Sequence, residues 1–164
     1  MAKSSAISAG VIVWRRAVPE LEVLIVHPGG PFFVNKDDGA WSIPKGECES
    51  EVIDEEALRE TALRELQEET GLAPETPVIG LGSIRQKGGK FVHGFAAEAD
   101  AELPRGHRPP QVRIEWPKGS MRELAFDEVD QVRFVPLSVA RMKLNPAQVE
   151  LLDRLLAILD RRSA

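Results

Sequence analysis

Glu65, Glu68 and Glu69 stand in the stretch Arg64-Glu65-Leu66-Gln67-Glu68-Glu69-Thr70-Gly71-Leu72, and such a stretch has few ways to fold. It reads as a helix, and offsets of three and four residues bring the carboxylates onto one helical face. Like charges at that spacing destabilise an isolated helix by roughly a few tenths of a kcal/mol per pair. A hard divalent cation gives the cluster a purpose, because it draws several carboxylate oxygens to one point. The helix is predicted to start at Asp54 as N-cap and to stop at Gly71, a residue suited to the C′ position. Leu58, Ala62 and Leu66, with Leu63, form its apolar stripe, and the three Glu are expected largely on another side.

The remaining segments set the fold class. Residues 1 to 4 read as a loose start. Ala6 to Trp14 and Leu21 to His27 read as strands joined by a turn containing Pro19. Pro28-Gly29-Gly30-Pro31 and Asn35-Lys36-Asp37-Asp38-Gly39 are breakers, and Trp41 to Pro44 is a short extended piece. Val78 to Arg85 and Lys90 to Ala99 are expected as strands around the polar turn Gln86-Lys87-Gly88-Gly89. Val112 to Trp116 and Val132 to Val135 are further short strands, and Ala101 to Pro110 is a Pro- and Arg-rich loop. Asn145-Pro146 opens a closing helix over 145–162, with Val149, Leu152, Leu155, Leu156 and Leu159 as its buried face. Strands, helix, strands, helix, without regular β-α-β alternation, give an α+β fold with a mixed sheet. At 164 residues the chain is expected to form a single domain over 1–164.

Arg-Glu-apolar-x-Glu-Glu-x-Gly-apolar resembles the second half of the signature of the Nudix hydrolases. Glu56 lies eight residues before Arg64, where that signature has its first Glu, and Trp41-Ser42-Ile43-Pro44-Lys45-Gly46-Glu47 is similar to the strand and loop that lead into it. The departure is at Ser50, where the pattern has Gly. Gly46 takes that role if the loop before the helix carries a four-residue insertion, a place where extra length is tolerated. The resemblance implies a mixed sheet sandwiched between helices over nearly the whole chain. It also implies that Glu65, Glu68 and Glu69 bind metal and catalyse, with Glu68 and Glu69 the first candidates for direct ligands and Glu65 either a ligand or the general base, that Arg64 orients a Glu, and that Glu56 closes the loop onto the helix. A backbone carbonyl of Lys45 or Gly46 is implied to join the metal shell. A later carboxylate completes the set, with Glu128 the first candidate and Glu115 the second.

The cation expected is Mg²⁺ or Mn²⁺, which activates water and binds phosphate oxygens. A closed zinc site does not fit one Cys and the scattered His27, His93 and His107. Arg85, Lys87 and Lys90 form a basic turn suited to terminal phosphates, and Lys45 and Trp41 join them as candidate substrate contacts. Trp41, Phe32 and Phe33 are the candidates for stacking on a base. No dinucleotide fingerprint, phosphate-binding loop of the GK[ST] type or serine elbow is present.

The resemblance implies hydrolysis of a pyrophosphate bond in a nucleoside diphosphate-linked small molecule. Trp41-Ser42-Ile43-Pro44-Lys45-Gly46 resembles the loop of enzymes acting on nucleoside triphosphates or dinucleoside polyphosphates, which makes these the preferred substrates. An ADP-ribose or nucleotide-sugar pyrophosphatase is the alternative, and a non-catalytic nucleotide-binding domain is the alternative of another class. A net charge of −5 argues against a nucleic-acid polymer as partner. No apolar run approaches a membrane span. Cys48 is the only cysteine, so no intrachain disulfide forms, and the cytoplasm is the default location for a monomer or homodimer.

Overall fold

The sheet is built around a strand whose one edge is divided between two neighbours. The computed structural model describes residues 6–75 and 77–163, so the loose start expected at 1–4 lies outside the described residues. Strand β1 (Ile7–Arg15) pairs in parallel with β5 (Phe91–Glu98) on one side. On the other side its last residues pair with β2 (Glu22–Pro28), and Ser8 to Gly10 pair with the short β3 (Lys45–Glu47). The two neighbours splay apart, and the segment running into β3 fills the gap through reciprocal hydrogen bonds between Val26 and Ser42 of 2.8 and 2.9 Å. Strands β4 (Ile79–Arg85) and β8 (Val129–Pro136) complete the order β4-β5-β1-β2-β8, with β3 beside β1. A separate hairpin, β6 (Gln111–Glu115) and β7 (Glu123–Asp127), leads into β8.

Alternation along β1 sends side chains into two cores. Ala9, Val11 and Val13 pack with Leu24, Phe95 and the stripe Leu58, Ala62 and Leu66 of α1 (Glu55–Thr70). Ile12 and Trp14 pack on the opposite face with Ile25, Trp41, Ile43 and the closing helix α3 (Val149–Ser163). The α+β sandwich expected from the sequence is therefore present, with helices on both faces of a mixed sheet.

Differences from expectation cluster at short elements. Lys45–Glu47, expected in a loop, is strand β3, and Trp41 and Ser42 form only isolated bridges. Strand β7 and helix α2 (Leu137–Lys143) were not expected, because alternation in Glu123–Asp127 is short and Ser138 to Met142 lacks a side-chain N-cap. Asn145 caps as predicted, but it opens a single 3₁₀ turn, Pro146–Gln148, before α3 begins. Leu151, Leu152 and Leu155 are the buried core of α3, while Val149, Leu156 and Leu159 are only partly covered. Leu151 was missed; it lies against Gly94 of β5, where a Cβ would come within 2.8 Å of it.

Gln148 fixes the entry to β3. It is 1% exposed, its Oε1 accepts from Ile43 N at 2.9 Å, and its Nε2 donates to Gln86 Oε1 at 2.8 Å and Ser42 Oγ at 3.1 Å. Gln148→Leu would leave the Ile43 amide buried and unpaired, so urea unfolding should report a loss of about 1–3 kcal/mol. Gln148→Glu retains the acceptor and should cost more through its buried charge.

Candidate metal and catalytic site

Helix α1 is held at both ends by the predicted caps. Asp54 accepts from Ala57 N at 2.8 Å, and Gly71, at φ +81°, donates its N–H to Gln67 O at 2.8 Å. This fixes the rotation of the last two turns. Glu69 then continues the stripe Leu58-Ala62-Leu66 and is 5% exposed, contrary to the expectation that it would share the side of Glu65 and Glu68. Glu65 is half-buried and Glu68 exposed, so the triplet spans from core to solvent.

Strand β3 supplies the floor. Val11 N donates to Pro44 O and Cys48 N to Ile7 O. Alternation along an antiparallel ladder then turns both polar groups of Gly46 toward β1 and both of Lys45 away from it. The Lys45 N–H donates to Glu69 Oε2 at 3.0 Å. Of the two carbonyls singled out in the sequence, Lys45's is the one turned to the Glu69 side. Gly46 contributes by having no side chain: a Cβ there would overlap the Glu65 carboxylate.

Glu128 arrives from the turn between β7 and β8. Its N–H donates to Pro110 O, and its carbonyl accepts from Gly29 N, both at 2.9 Å. Ligand oxygens of Glu65, Glu69 and Glu128 lie within 4.8 Å of one another. Glu115, the second candidate, is in β6, where its carboxylate accepts from Gly119 N at 2.6 Å. Arg64 Nη2 is 3.4 Å from Glu65 Oε1, and its Nε is 3.8 Å from Glu68 Oε1. The Glu56 side chain is exposed on the first turn of α1 and makes no hydrogen bond or ion pair among the described residues, so it does not close the loop onto the helix as expected.

The electrostatics are those of crowded acid. Burial, then the charges of Glu128 and Glu65, push the Glu69 carboxyl up to about 9 against the opposing Lys45 amide and ammonium. Burial and the neighbouring Glu68 raise Glu65 and Glu128 as well. Burial also lowers the Lys45 ammonium, which Glu69 partly counters and Lys90 reinforces. Hard carboxylate oxygens converging from two segments, with one amide as the hydrogen-bond donor, fit Mg²⁺ or Mn²⁺.

The other candidates are placed as follows. Lys90 is near enough to Lys45 to act on its charge, whereas Arg85 is exposed beside the Phe91 ring and Lys87 sits at the exposed turn. Trp41 is 3% exposed in the core, donating its Nε1–H to Asp37 at 2.8 Å. Phe32 is exposed, edge-on to Trp116, and Phe33 is partly buried under Lys36. No local pattern singles out His107, whose Nε2 lies 2.7 Å from Glu68 O and closes the end of α1. A cavity of about 330 Å³ beside it reaches Glu69 and is walled by Pro104, Val129 and Val132.

A model of the Nudix domain matches residues 5–155. The chain belongs to the Nudix family, whose hydrolases split pyrophosphate linkages. Among solved structures, it is similar to the Nudix domain of Shewanella oneidensis NrtR complexed with ADP ribose (20% identity, 96% of this chain and 90% of that one, TM-score 0.62). It is also similar to the Caenorhabditis elegans Ap4A hydrolase in a binary complex (18%, 93% and 98%, 0.63). A third likeness is to a Nudix hydrolase from Nitrosomonas europaea (12%, 94% and 90%, 0.63). A search among curated proteins returned no match. No helix among the described residues is long and apolar enough to cross a membrane.

The raised Glu69 carboxyl makes a signed prediction. Its folded pKa of about 9 lies above the ordinary carboxylate value of 4.5, so the folded state holds a proton that the unfolded chain releases. The stabilisation is complete below the unfolded value and is lost as pH rises through the folded one. Urea unfolding in EDTA should therefore show stability falling between about pH 5 and 9, and Glu69→Gln should flatten that slope. Added Mg²⁺ should stabilise more at the alkaline end, where its ligands are already deprotonated.

Proposed function

We propose that the chain hydrolyses a pyrophosphate bond in a nucleoside diphosphate-linked small molecule, using Mg²⁺ or Mn²⁺. The observation that carries this reading is the meeting of Glu65, Glu69 and Glu128 in one cluster, with Glu69 buried and short of compensating charge. Glu65, Glu69, Glu128 and the Lys45 carbonyl would hold the cation, which supplies charge neutralisation at phosphate oxygens and a more acidic water.

The chain's own side chains divide the remaining work. The Glu65 carboxylate is packed on Gly46 and that of Glu69 is bonded to the Lys45 amide, so neither is free to swing. Glu68 is exposed, and Arg64, at 3.8 Å, is its ion-pair partner among the described residues. It is therefore assigned to take the proton from the attacking water, with Arg64 keeping it in reach. The Lys45 and Lys90 ammonium groups, close enough for one charge to act on the other, would contact the substrate phosphates, and Arg85 and Lys87 would extend the basic edge.

A dinucleoside polyphosphate or nucleoside triphosphate is the preferred substrate. Support comes from the loop Trp41-Ser42-Ile43-Pro44-Lys45-Gly46 and from the likeness to an Ap4A hydrolase. ADP-ribose is the second reading, favoured by the likeness to a domain complexed with that compound. Products separate them: a nucleotide pair or inorganic pyrophosphate in the first case, a mononucleotide and a sugar phosphate in the second.

A panel of both substrate classes, with products identified by chromatography, tests the assignment. Glu68→Gln should lower kcat about 10²–10⁴-fold with little change in the Mg²⁺ concentration giving half activity. Glu69→Gln should abolish turnover and weaken Mn²⁺ binding. Full turnover in Glu69→Gln, or turnover by the wild type in excess EDTA, would remove the metal-dependent reading.

A further inference from the structure

His27, at the end of β2, is 4% exposed and has no part in the chemistry above. Its Nδ1 lies 2.8 Å from Asp130 Oδ1, and its Nε2 lies 2.7 Å from the Lys36 carbonyl. A carboxylate and a carbonyl only accept, so both hydrogen bonds exist together only when both ring nitrogens carry hydrogen. The ring stands edge-on to Trp41 at 5.1 Å, which sets its plane. The imidazole therefore joins the 29–40 loop to β8 across the end of the sheet.

Asp130 holds a special place in β8. His27 pairs with Gln131 and Pro28 with Val129, so Asp130 is the extra residue of a β-bulge. Such a bulge re-aims side chains and shifts the alternation of everything before it. Val132 and Phe134 face the α1 side. Val129, the residue before the bulge, is buried and lines the cavity that reaches Glu69, and the Glu128 carboxylate meets those of Glu65 and Glu69. The backbone of Glu128 is tied to Gly29, two residues after His27.

We infer that His27 is a positioning residue for Glu128: by clasping the bulge residue Asp130 and the Lys36 carbonyl at once, it fixes the turn that presents Glu128 to the cation. This inference rests on the metal set assigned under Proposed function. Asp130 is 43% exposed, so the ion pair itself is attenuated by solvent, and the held geometry carries the effect.

Mn²⁺ binding to the metal-free protein, followed by the EPR signal of free Mn²⁺, tests this without a substrate. His27→Gln should weaken binding about tenfold, as loss of an outer partner of a metal ligand does. Glu128→Gln should weaken it as well, and the double variant should bind no more weakly than Glu128→Gln alone. Asp130→Asn keeps the side-chain shape, removes the charge and should show the same non-additivity. Urea unfolding establishes that each variant is folded, and Asp130→Asn decides if His27→Gln is not. Full additivity with Glu128→Gln overturns the inference, since general loosening acts whether or not Glu128 is a ligand. Unchanged binding in a folded His27→Gln, with Glu128→Gln impaired, overturns the positioning role alone. Unchanged binding in Glu128→Gln overturns it together with the metal set on which it rests.

Discussion

The hydrogen bond from the Lys45 amide to the Glu69 carboxylate joins the two layers on which the site depends. It requires β3 to pair with β1 in one register, because a shift by one residue would turn the Lys45 amide back into the ladder. It also requires α1 to stand at one rotation, which its two caps and its apolar stripe set together. Gly46 extends the same contact by letting the Glu65 carboxylate lie directly on the strand. A carboxylate pressed on a backbone has few rotamers left, so the oxygens are preorganised before any ligand arrives.

That preorganisation is opposed by charge. Glu65, Glu69 and Glu128 share a small volume, and Glu69 is nearly closed to water. One amide and a partly buried ammonium do not offset three ionised carboxylates, so the carboxyl of Glu69 is held far above its ordinary value. Arg64 stands at the outer rim, at 50% exposure, where water screens it, and so it steadies Glu65 and Glu68 without neutralising the interior. The gradient from buried Glu69 to exposed Glu68 gives neighbouring carboxylates different surroundings on one helix.

Local rules made α1 legible in the sequence. Asp54, Gly71 and the spacing of Leu58, Ala62 and Leu66 each act within a few residues, and the structure places them as those rules require. The burial of Glu69 was not legible, because position 69 closes the apolar stripe only when a strand lies against it. Strand β3 has three residues, too few for a periodic signal, and its pairing with β1 spans 35 residues or more of chain. Glu128 could be nominated from its acidic turn, yet its convergence with Glu65 and Glu69 depends on contacts to Pro110 and Gly29. The bulge at Asp130 leaves no trace in a sequence read one strand at a time, since it exists only relative to β2. His27 and His107 were counted only as scattered histidines for the same reason: their partners are distant in the chain.

The site therefore has two halves with different mechanical origins. Glu65, Glu68 and Glu69 move as one body with α1, whose geometry is locally encoded and capped. Glu128 hangs from a turn between a two-stranded hairpin and an edge strand, positioned by backbone contacts to two loops. Changes at Pro110 or Gly29 can displace Glu128 without removing a core side chain, because neither residue belongs to either core. The fold thus carries one half of the cluster on a capped helix and leaves the position of Glu128 to its loop contacts. A family built this way can change substrate by altering loops while its sheet and catalytic helix stay fixed.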